Sequence, residues 1–218
     1  MASGDDGRLF FPATQRNQAA IAAVLQEVLP KSGSVLELAS GSGEHAVAFQ
    51  QRFESLVWQA SDPDPSHRRS IDAWRRSCSL AERMPEALAL DVLQRPWFAP
   101  SQGERRFQAF VCINLVHISP KRCTEQLFAG AADCAFPNAV LVLYGPLMRD
   151  GRHTSASNAA FDASLRQRDP AWGVRDLEWV AACARSAGWS LQVVQPMPAN
   201  NFTLVFRMDD SATRPFGD

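Results

Sequence analysis

The stretch Val35–Gly43 reads Val-Leu-Glu-Leu-Ala-Ser-Gly-Ser-Gly, and it decides the fold. Its first half, Val35–Ala39, is a short apolar run that predicts a buried strand. Its second half contains Gly41 and Gly43, and glycine lets a backbone turn sharply and approach a ligand closely. A helical pattern begins at Glu44, so the loop leads into a helix start with unpaired backbone N–H groups. This order of strand, glycine-rich loop and helix predicts a ligand-binding edge of an α/β sheet.

Strand and helix patterns alternate on both sides of this loop. Further strands are predicted at Leu56–Ala60, Ala87–Leu90, Phe107–Ile113, Ala139–Tyr144, Leu191–Val194 and Phe202–Phe206. Helices are predicted at Thr14–Leu29, Glu44–Phe53, Pro65–Leu80, Pro120–Ala135 and Asp176–Ala187.

The alternation through the first five strands predicts a parallel sheet with helices on both faces. The last two strands are joined by a short, turn-rich link. A parallel crossover needs a dozen or more residues, so this link predicts an antiparallel hairpin. The expected fold is therefore α/β and Rossmann-like, with a mostly parallel seven-stranded sheet in the order 3-2-1-4-5-7-6.

Composition narrows the class of protein. The 218 residues predict one domain over residues 9–208, with flexible ends at 1–8 and 209–218. A net charge of −1 argues against nucleic-acid binding, which usually needs a basic excess. Five cysteines without a C-x-x-C pair argue against a disulfide framework or a zinc site. The chain has neither a signal-peptide pattern nor an apolar stretch of about 18 residues, so we expect a cytosolic protein without a membrane span.

Polar residues follow the predicted strands, where open α/β sheets bind ligands. Asp62 comes nineteen positions after Gly43, directly after the second strand. A carboxylate there can accept both ribose hydroxyls of a nucleoside. Asp64 is the alternative, and a simple turn before Pro63 also remains open. Asn114 ends the fourth strand, and His117 beyond it is either a base or a packed histidine.

A long insert, Tyr144–Gly173, separates the fifth strand from the next helix. Loops of this length are uncommon unless they are functional. Within the insert, Ser155–Arg166 is predicted to be helical, with Phe161 and Leu165 facing inward. We expect the insert to cover a ligand, as the mobile part of the unliganded protein. A solvated excursion with salt bridges is the other reading.

Two ligand classes fit the glycine loop. Gly41-x-Gly43-x-x-Ala46 matches a dinucleotide fingerprint, so an NAD(P)- or flavin-dependent oxidoreductase remains an alternative. The loop also resembles that of class I methyltransferases, an acidic residue followed by a small-x-Gly-x-Gly turn. Glu37 inside the strand and the terminal antiparallel hairpin favour this second reading. Ala39 stands where that family usually has glycine, a mild departure if Ala39 does not need a positive φ.

A closer resemblance covers nearly the whole chain, from Arg8 to Arg207. It rests on segments outside the general cofactor motif as well as within it. These segments are Arg16-Asn17, Glu37–His45, Tyr144-Gly145-Pro146, Asp150-Gly151-Arg152-His153, Ser157-Asn158, Phe161-Asp162, Arg168-Asp169-Pro170, Trp172-Gly173 and Met197–Asn201. They resemble an uncharacterised class I methyltransferase-like family, the one that includes methyltransferase-like protein 26.

The resemblance implies S-adenosylmethionine as cofactor and S-adenosylhomocysteine as product. It implies that Asp62 binds the ribose, that Asp91 accepts from the adenine amino group and that Val92 donates its backbone N–H to the ring. The full expected cofactor set is Arg16, Glu37, Ala39, Ser40, Gly41, Gly43, His45, Asp62, Asp91, Val92 and Asn114.

The expected reaction is methyl transfer to a small, anionic acceptor, without a metal. Candidate catalytic residues are Tyr144, His117, Asp150 and His153, and candidate substrate residues are Arg149, Arg152, Asn158 and Trp172. A protein that binds the cofactor without turnover is the alternative from another class.

Overall fold

A computed structural model describes residues 6–99 and 105–209. The chain has an α/β fold with a mostly parallel sheet and antiparallel strands toward its carboxyl end. Its contacts group into two units, Met1–Asp91 and Val92–Asp218, and each unit is described by itself.

The first unit holds the glycine loop. Its helices are α1 (Pro12–Val28), α2 (Glu44–Arg52) and α3 (Pro65–Ser77), and its strands are β1 (Gly33–Leu38) and β2 (Leu56–Ala60). The strands pair in parallel, with Glu37 opposite Ala60. The side chain of Asp64 caps α3 by accepting from the Ser66 N–H at 2.6 Å, and Pro65 follows at the first helical position. Both choices are favourable for helix starts.

The predicted third strand is wrong in extent. In place of a strand over Ala87–Leu90, a single parallel bridge joins Leu88 to Ser61. The Leu88 N–H donates to the Ala60 carbonyl, and the Leu88 carbonyl accepts from the Asp62 N–H, both at 3.0 Å. The segment therefore occupies the predicted position beside β2, and the order 3-2-1 is confirmed within this unit.

The second unit contains the remaining elements. The helices are α4 (Lys121–Asp133), α5 (Ala156–Arg168) and α6 (Leu177–Ser186), with short 3-10 helices at Val116–Ile118 and Pro198–Asn200. The strands are β3 (Phe107–Ile113), β4 (Ala135–Arg149), β5 (Arg152–His153), β6 (Arg175–Asp176), β7 (Trp189–Met197) and β8 (Asn201–Met208).

Strand pairing in the second unit confirms the other half of the predicted order, 4-5-7-6. β3 and β4 pair in parallel, whereas β8 pairs antiparallel with both β4 and β7. β4 is much longer than the predicted strand Ala139–Tyr144, because its far end also pairs with β5 and β6. β5 lies within the insert and β6 follows directly after it, so the insert is folded against β4 at both of these places.

The insert contains the predicted helix as α5, whose first turn is capped by Ser155 accepting from the Asn158 N–H. Leu165 faces inward as expected. The same prediction holds only in part for Phe161, since its ring contacts the buried ring of His117 while 38% of the residue is exposed. The helix is slightly longer than predicted and continues to Arg168.

The single domain over residues 9–208 stays a prediction. Residues 1–5 and 210–218 of the expected flexible ends lie outside the described residues. Within the described residues, every helix is too short or too polar to cross a lipid bilayer.

Candidate functional site

The glycine loop of the first unit turns through three left-handed residues. Ala39, Gly41 and Gly43 have φ values of 54°, 59° and 91°. A Cβ on Gly43 would lie 2.7 Å from the Ile71 Cα on α3, so close packing excludes any larger residue there. Alanine in place of glycine at position 39 was expected to be a mild departure if this residue did not need a positive φ. That condition is not met, because Ala39 does take a positive φ. An alanine in this conformation costs about 1–2 kcal/mol relative to glycine.

Asp62 is buried at 4% exposure and fixes the loop from the end of β2. Its Oδ2 accepts from the Gly41 N–H at 2.9 Å. Its Oδ1 accepts from the Asp64 N–H at 2.9 Å and lies 3.1 Å from the His67 Nδ1. Each carboxylate oxygen offers two lone pairs, so Oδ2 retains one acceptor site. Asp64 has an exposed carboxylate that already caps α3.

Glu37 lies on β1 directly before the loop, with 1% of its surface exposed. Its Oε2 accepts from the Trp58 Nε1 at 2.7 Å. Burial, assisted by the charge of Asp62, raises the pKa of Glu37 to about 8. The carboxyl group is therefore mainly protonated at neutral pH, a state that the sequence pattern does not reveal.

Helix α1 contributes to this region through Asn17. Its Oδ1 lies 2.9 Å from the Nε2 of His45, which is buried and stacks on Phe49. Burial lowers the pKa of His45 to about 4, so the neutral ring donates to Asn17. Arg16, the neighbouring predicted cofactor residue, is exposed on the same helix.

Two contacts in the first unit escaped sequence reasoning. Glu44, on the first turn of α2, accepts from the Ser42 hydroxyl at 2.8 Å and from the Phe11 N–H at 2.7 Å. Ser40 supports the loop differently, since its N–H and hydroxyl contact Ser61. Glu44 carries a weak signal, an acidic residue in a first helical turn, but nothing in its spacing points to Phe11.

The predicted adenine contacts follow the Leu88 bridge. Asp91 is half-buried and Val92 is buried, with the Val92 carbonyl accepting from the Trp97 Nε1 at 3.3 Å. Their roles toward adenine stay predictions.

In the second unit, His117 lies in the 3-10 helix that follows β3, with 5% exposure. Its Nδ1 is buried and has no hydrogen-bond partner among the described residues. The ring packs against Phe161, with centroids 5.5 Å apart, and a Cβ on Gly145 would lie 3.3 Å from the Nδ1. Burial, assisted by the charge of Arg175, lowers the pKa of His117 to about 4. The imidazole is therefore neutral and has an unused polar atom.

The His117 segment is held in place by the insert. The Gly173 N–H donates to the His117 carbonyl at 3.0 Å. Buried Arg175 donates to the carbonyls of Val116, Ser119 and Ala171. The contacts of Gly173 with His117, and of Arg175 with Val116 and Ser119, were not predicted, because the partners are more than fifty residues apart in the chain.

Asp162 anchors the same insert. Its Oδ1 accepts from the Val174 N–H at 2.7 Å, and its Oδ2 accepts from the Arg166 Nε at 2.9 Å. The His153 Nε2 lies 3.5 Å from that Oδ2, and the buried Nδ1 of His153 has no partner within the described chain. Asn114 and Tyr144, near His117 in this unit, are joined by an N–H···O bond of 2.9 Å.

Three other predicted residues form the tip of the β4–β5 hairpin. Asp150 and Gly151 both have positive φ, as a tight Asp-Gly hairpin turn requires. Their N–H groups are held by Glu178 and Asp176. Arg149 and Arg152 flank the turn and are exposed.

Of the last two predicted substrate residues, Asn158 lies in the first turn of α5 and Trp172 lies beyond its last residue, Arg168. Asn158 is buried and donates to the Thr154 hydroxyl and the Asn200 carbonyl. Trp172 is half-buried in a turn, with its N–H bonded to the Asp169 carbonyl. Substrate roles for both stay predictions.

Comparison with known protein families identifies the family of this chain. A family model described as protein of unknown function DUF938 matches residues 8–208. The chain belongs to this family. The finer resemblance, to the group that includes methyltransferase-like protein 26, stays a prediction.

Several solved structures share the fold of this DUF938 protein. An O-methyltransferase family protein from Burkholderia thailandensis is 20% identical, with a TM-score of 0.75 over 90% of this chain and 57% of that one. The pyocyanin biosynthetic protein PhzM is 18% identical, with a TM-score of 0.73 over 94% and 59%. Human N-acetylserotonin methyltransferase, solved in complex with S-adenosylmethionine, is 13% identical, with a TM-score of 0.70 over 90% and 53%.

The chain spans a little over half the length of these proteins. At this level of identity the likeness establishes the fold.

Proposed function

We propose that this DUF938 protein binds S-adenosylmethionine on the glycine loop and transfers its methyl group to a small acceptor. The observation that carries the proposal is the hydrogen bond from the Gly41 N–H to Asp62. It joins the loop to a buried carboxylate that retains an acceptor lone pair. That pairing of a glycine loop and an acidic residue suits the ribose of a nucleoside cofactor.

The residues of the first unit fit the cofactor. Left-handed turns at Gly41 and Gly43 bring backbone close to a ligand, and α2 begins directly after them. Asp62 would accept one ribose hydroxyl on Oδ2, and the second hydroxyl would compete with His67 for Oδ1. Asp91 and Val92 remain the proposed adenine contacts.

The cofactor, when bound, supplies an electrophilic methyl group. In the second unit, His117 would accept the proton that a hydroxyl, thiol or amine acceptor loses. It is suited to this role because its ring is neutral and its Nδ1 has no partner in the described chain. A carboxylate acceptor would need no base, and His117 would then take no part in proton transfer. His153, Asp150 and Tyr144 are the other proposed groups for proton transfer.

The acceptor itself is proposed to be small and anionic. Arg149, Arg152 and Arg166 are exposed cations on the insert or its hairpin, and they suit recognition of an anion. Several of the solved relatives carry names that state O-methyltransferase activity, which supports a hydroxyl as the first acceptor class to test.

A thermal-shift comparison tests the cofactor. S-adenosylhomocysteine should raise the melting temperature of the protein, because a ligand at 100 times its dissociation constant adds about 2.7 kcal/mol of stability. NAD(P) should leave it unchanged. The Asp62→Asn variant should bind S-adenosylhomocysteine about 10- to 100-fold more weakly, which corresponds to about 1.4–2.7 kcal/mol. Stabilisation by NAD(P) alone would replace the proposal with the oxidoreductase reading. Binding without transfer to any pool of acceptors would support a non-catalytic cofactor-binding protein.

A further inference from the structure

The segment before α1 crosses the glycine loop within the first unit. Residues Arg8–Phe11, here called the strap, make no strand pairing. Instead, the Leu9 N–H donates to the Ser70 hydroxyl at 2.8 Å, and the Leu9 carbonyl accepts from the Trp74 Nε1 at 3.0 Å. Ser70 in turn donates to the Ser42 carbonyl at 2.6 Å, so the strap and the loop share a hydrogen-bond network.

The end of the strap lies directly on the loop. The Phe11 Cε2 is 3.1 Å from the position that a Cβ on Gly41 would take. The ring also lies edge-on to His67, with ring centroids 5.7 Å apart. His67 is the residue that contacts the Oδ1 of Asp62. The ring therefore touches the loop and a direct neighbour of the carboxylate proposed for ribose binding.

Phe11 keeps 39% of its surface exposed. A large apolar surface left open beside a proposed ligand site is available to contact that ligand. The strap is also lightly held. Its contacts to the rest of the unit are a few hydrogen bonds, each of which contributes about 1 kcal/mol, and the packing of Arg8 and Phe10 against Trp74. Segments of this kind open locally at low free-energy cost.

We propose that the strap is a cover for the cofactor, and that the Phe11 ring packs against the bound nucleoside and limits its release. This inference rests on the proposed function and adds a residue and a movement to it. The strap opens by releasing the Phe11 N–H from Glu44 and closes again over the occupied loop. Glu44 is the positioning residue, since its carboxylate holds both the Phe11 backbone and the Ser42 hydroxyl.

The neighbouring residue provides a matched control. Phe10 is more exposed than Phe11, at 56%, and packs edge-on against Trp74 rather than against the loop. Phe10→Ala and Phe11→Ala therefore remove the same side chain from adjacent positions of one strap. Only the second removes a group that contacts Gly41.

The test is a stopped-flow measurement of S-adenosylhomocysteine association and dissociation for the full chain. Phe11→Ala should dissociate about tenfold faster, equivalent to about 1.4 kcal/mol, while Phe10→Ala keeps the wild-type rate. Phe11→Leu should restore most of the loss, because it retains apolar contact. Glu44→Ala should accelerate both association and dissociation, and Glu44→Gln, which can still accept from the Phe11 N–H, should behave like the wild type.

Thermal unfolding of each variant shows whether it is folded, so that a changed dissociation rate is not confused with a loss of structure. Wild-type dissociation by a folded Phe11→Ala variant would overturn the cover and leave the cofactor proposal standing. Equal acceleration by Phe10→Ala would overturn it as well, since the effect would then be general loosening of the strap. Absence of S-adenosylhomocysteine binding by the wild type would overturn both proposals.

Discussion

Asp62 in the first unit and His117 in the second are both buried, but their hydrogen bonding differs sharply. The Asp62 carboxylate faces three donors, two backbone N–H groups and the His67 ring. The His117 Nδ1 has none within the described chain. A buried polar atom without a partner costs about 1–3 kcal/mol, so natural sequences seldom keep one without a reason. The comparison teaches that the orientation of the Asp62 carboxylate is fixed by its donors, whereas the His117 ring is held by packing and leaves a buried nitrogen unpaired within the described chain.

Of the substitutions that test this comparison, replacement of His117 has the largest expected effect. His117→Phe keeps a ring against Phe161 and removes the unpartnered nitrogen. We expect methyl transfer to fall about 10²- to 10⁴-fold, the usual contribution of a general base. The free energy of unfolding should stay the same or rise by about 1 kcal/mol. The measurements are transfer of labelled methyl from S-adenosylmethionine into a metabolite extract and urea unfolding.

His153→Ala is the comparison variant, because His153 also has a buried Nδ1 without a partner in the described chain. If His117→Phe binds S-adenosylhomocysteine in calorimetry as the wild type does, its loss of methyl transfer is not caused by weaker cofactor binding. If His153→Ala abolishes transfer and His117→Phe does not, the proton acceptor is the other histidine.

Glycine substitutions compare the loop with the hairpin tip. Gly43→Ala combines a positive φ with a Cβ 2.7 Å from the Ile71 backbone. We expect it to lower the free energy of unfolding by about 3 kcal/mol or more. Gly151→Ala has a similar φ but no atom within 4 Å of the added Cβ, so it should cost only about 1 kcal/mol. Chemical denaturation measures both, and equal losses would mean that packing against α3 is not what fixes the loop.

The ionisation of Glu37 should make the stability of the first unit depend on pH. The pKa of this carboxyl rises from 4.5 to about 8 on folding, so the folded state binds the proton more tightly. The stabilisation is full below pH 4.5 and is lost as the pH rises through about 8. Glu37→Gln, which cannot ionise, should therefore gain about 1 kcal/mol over the wild type at pH 5 and about 3 kcal/mol at pH 7, and this advantage should level off only above pH 8. Urea unfolding at pH 5, 7 and 9 checks this; a constant difference across the three values contradicts a buried neutral carboxyl group.

The smallest expected effect concerns the alanine in the loop. Ala39→Gly removes left-handed strain but adds freedom to the unfolded chain, so we expect a net gain of about 0.5 kcal/mol. Ala199→Gly is the matched control, with a φ of 57° in the exposed 3-10 helix of the second unit. Similar gains in unfolding free energy, with a change in S-adenosylhomocysteine affinity only for Ala39→Gly, would separate loop strain from general stability.

Most of the local structure could be predicted from the sequence. Apolar runs located β1, β2 and β3, and the short turn-rich link predicted the antiparallel pairing of β7 with β8. The loop glycines were recognised because their spacing depends on backbone conformation, which is a local property. The segment Ala87–Leu90 forms only one bridge instead of the expected strand. Strand pairing depends on the neighbouring strand, and a short apolar run in the sequence does not specify that neighbour.

The candidate site was less predictable because its contacts are long-range. Nothing near Arg175 in the sequence indicates that it binds the carbonyls around His117. The bond from Trp58 that accompanies the buried state of Glu37 joins residues on two strands. Spacing identifies residue types at strand ends, whereas protonation and packing depend on partners that only folding brings together.

The Asp150-Gly151 turn has a practical consequence. Its tip is exposed, no atom lies within 4 Å of a Cβ placed on Gly151, and its two N–H groups are tied to Glu178 and Asp176. Exposed turns of this kind tolerate insertions well. A small fluorescent peptide inserted there would be attached to the hairpin that begins the insert. Its emission would report on movement of that region when ligands are added.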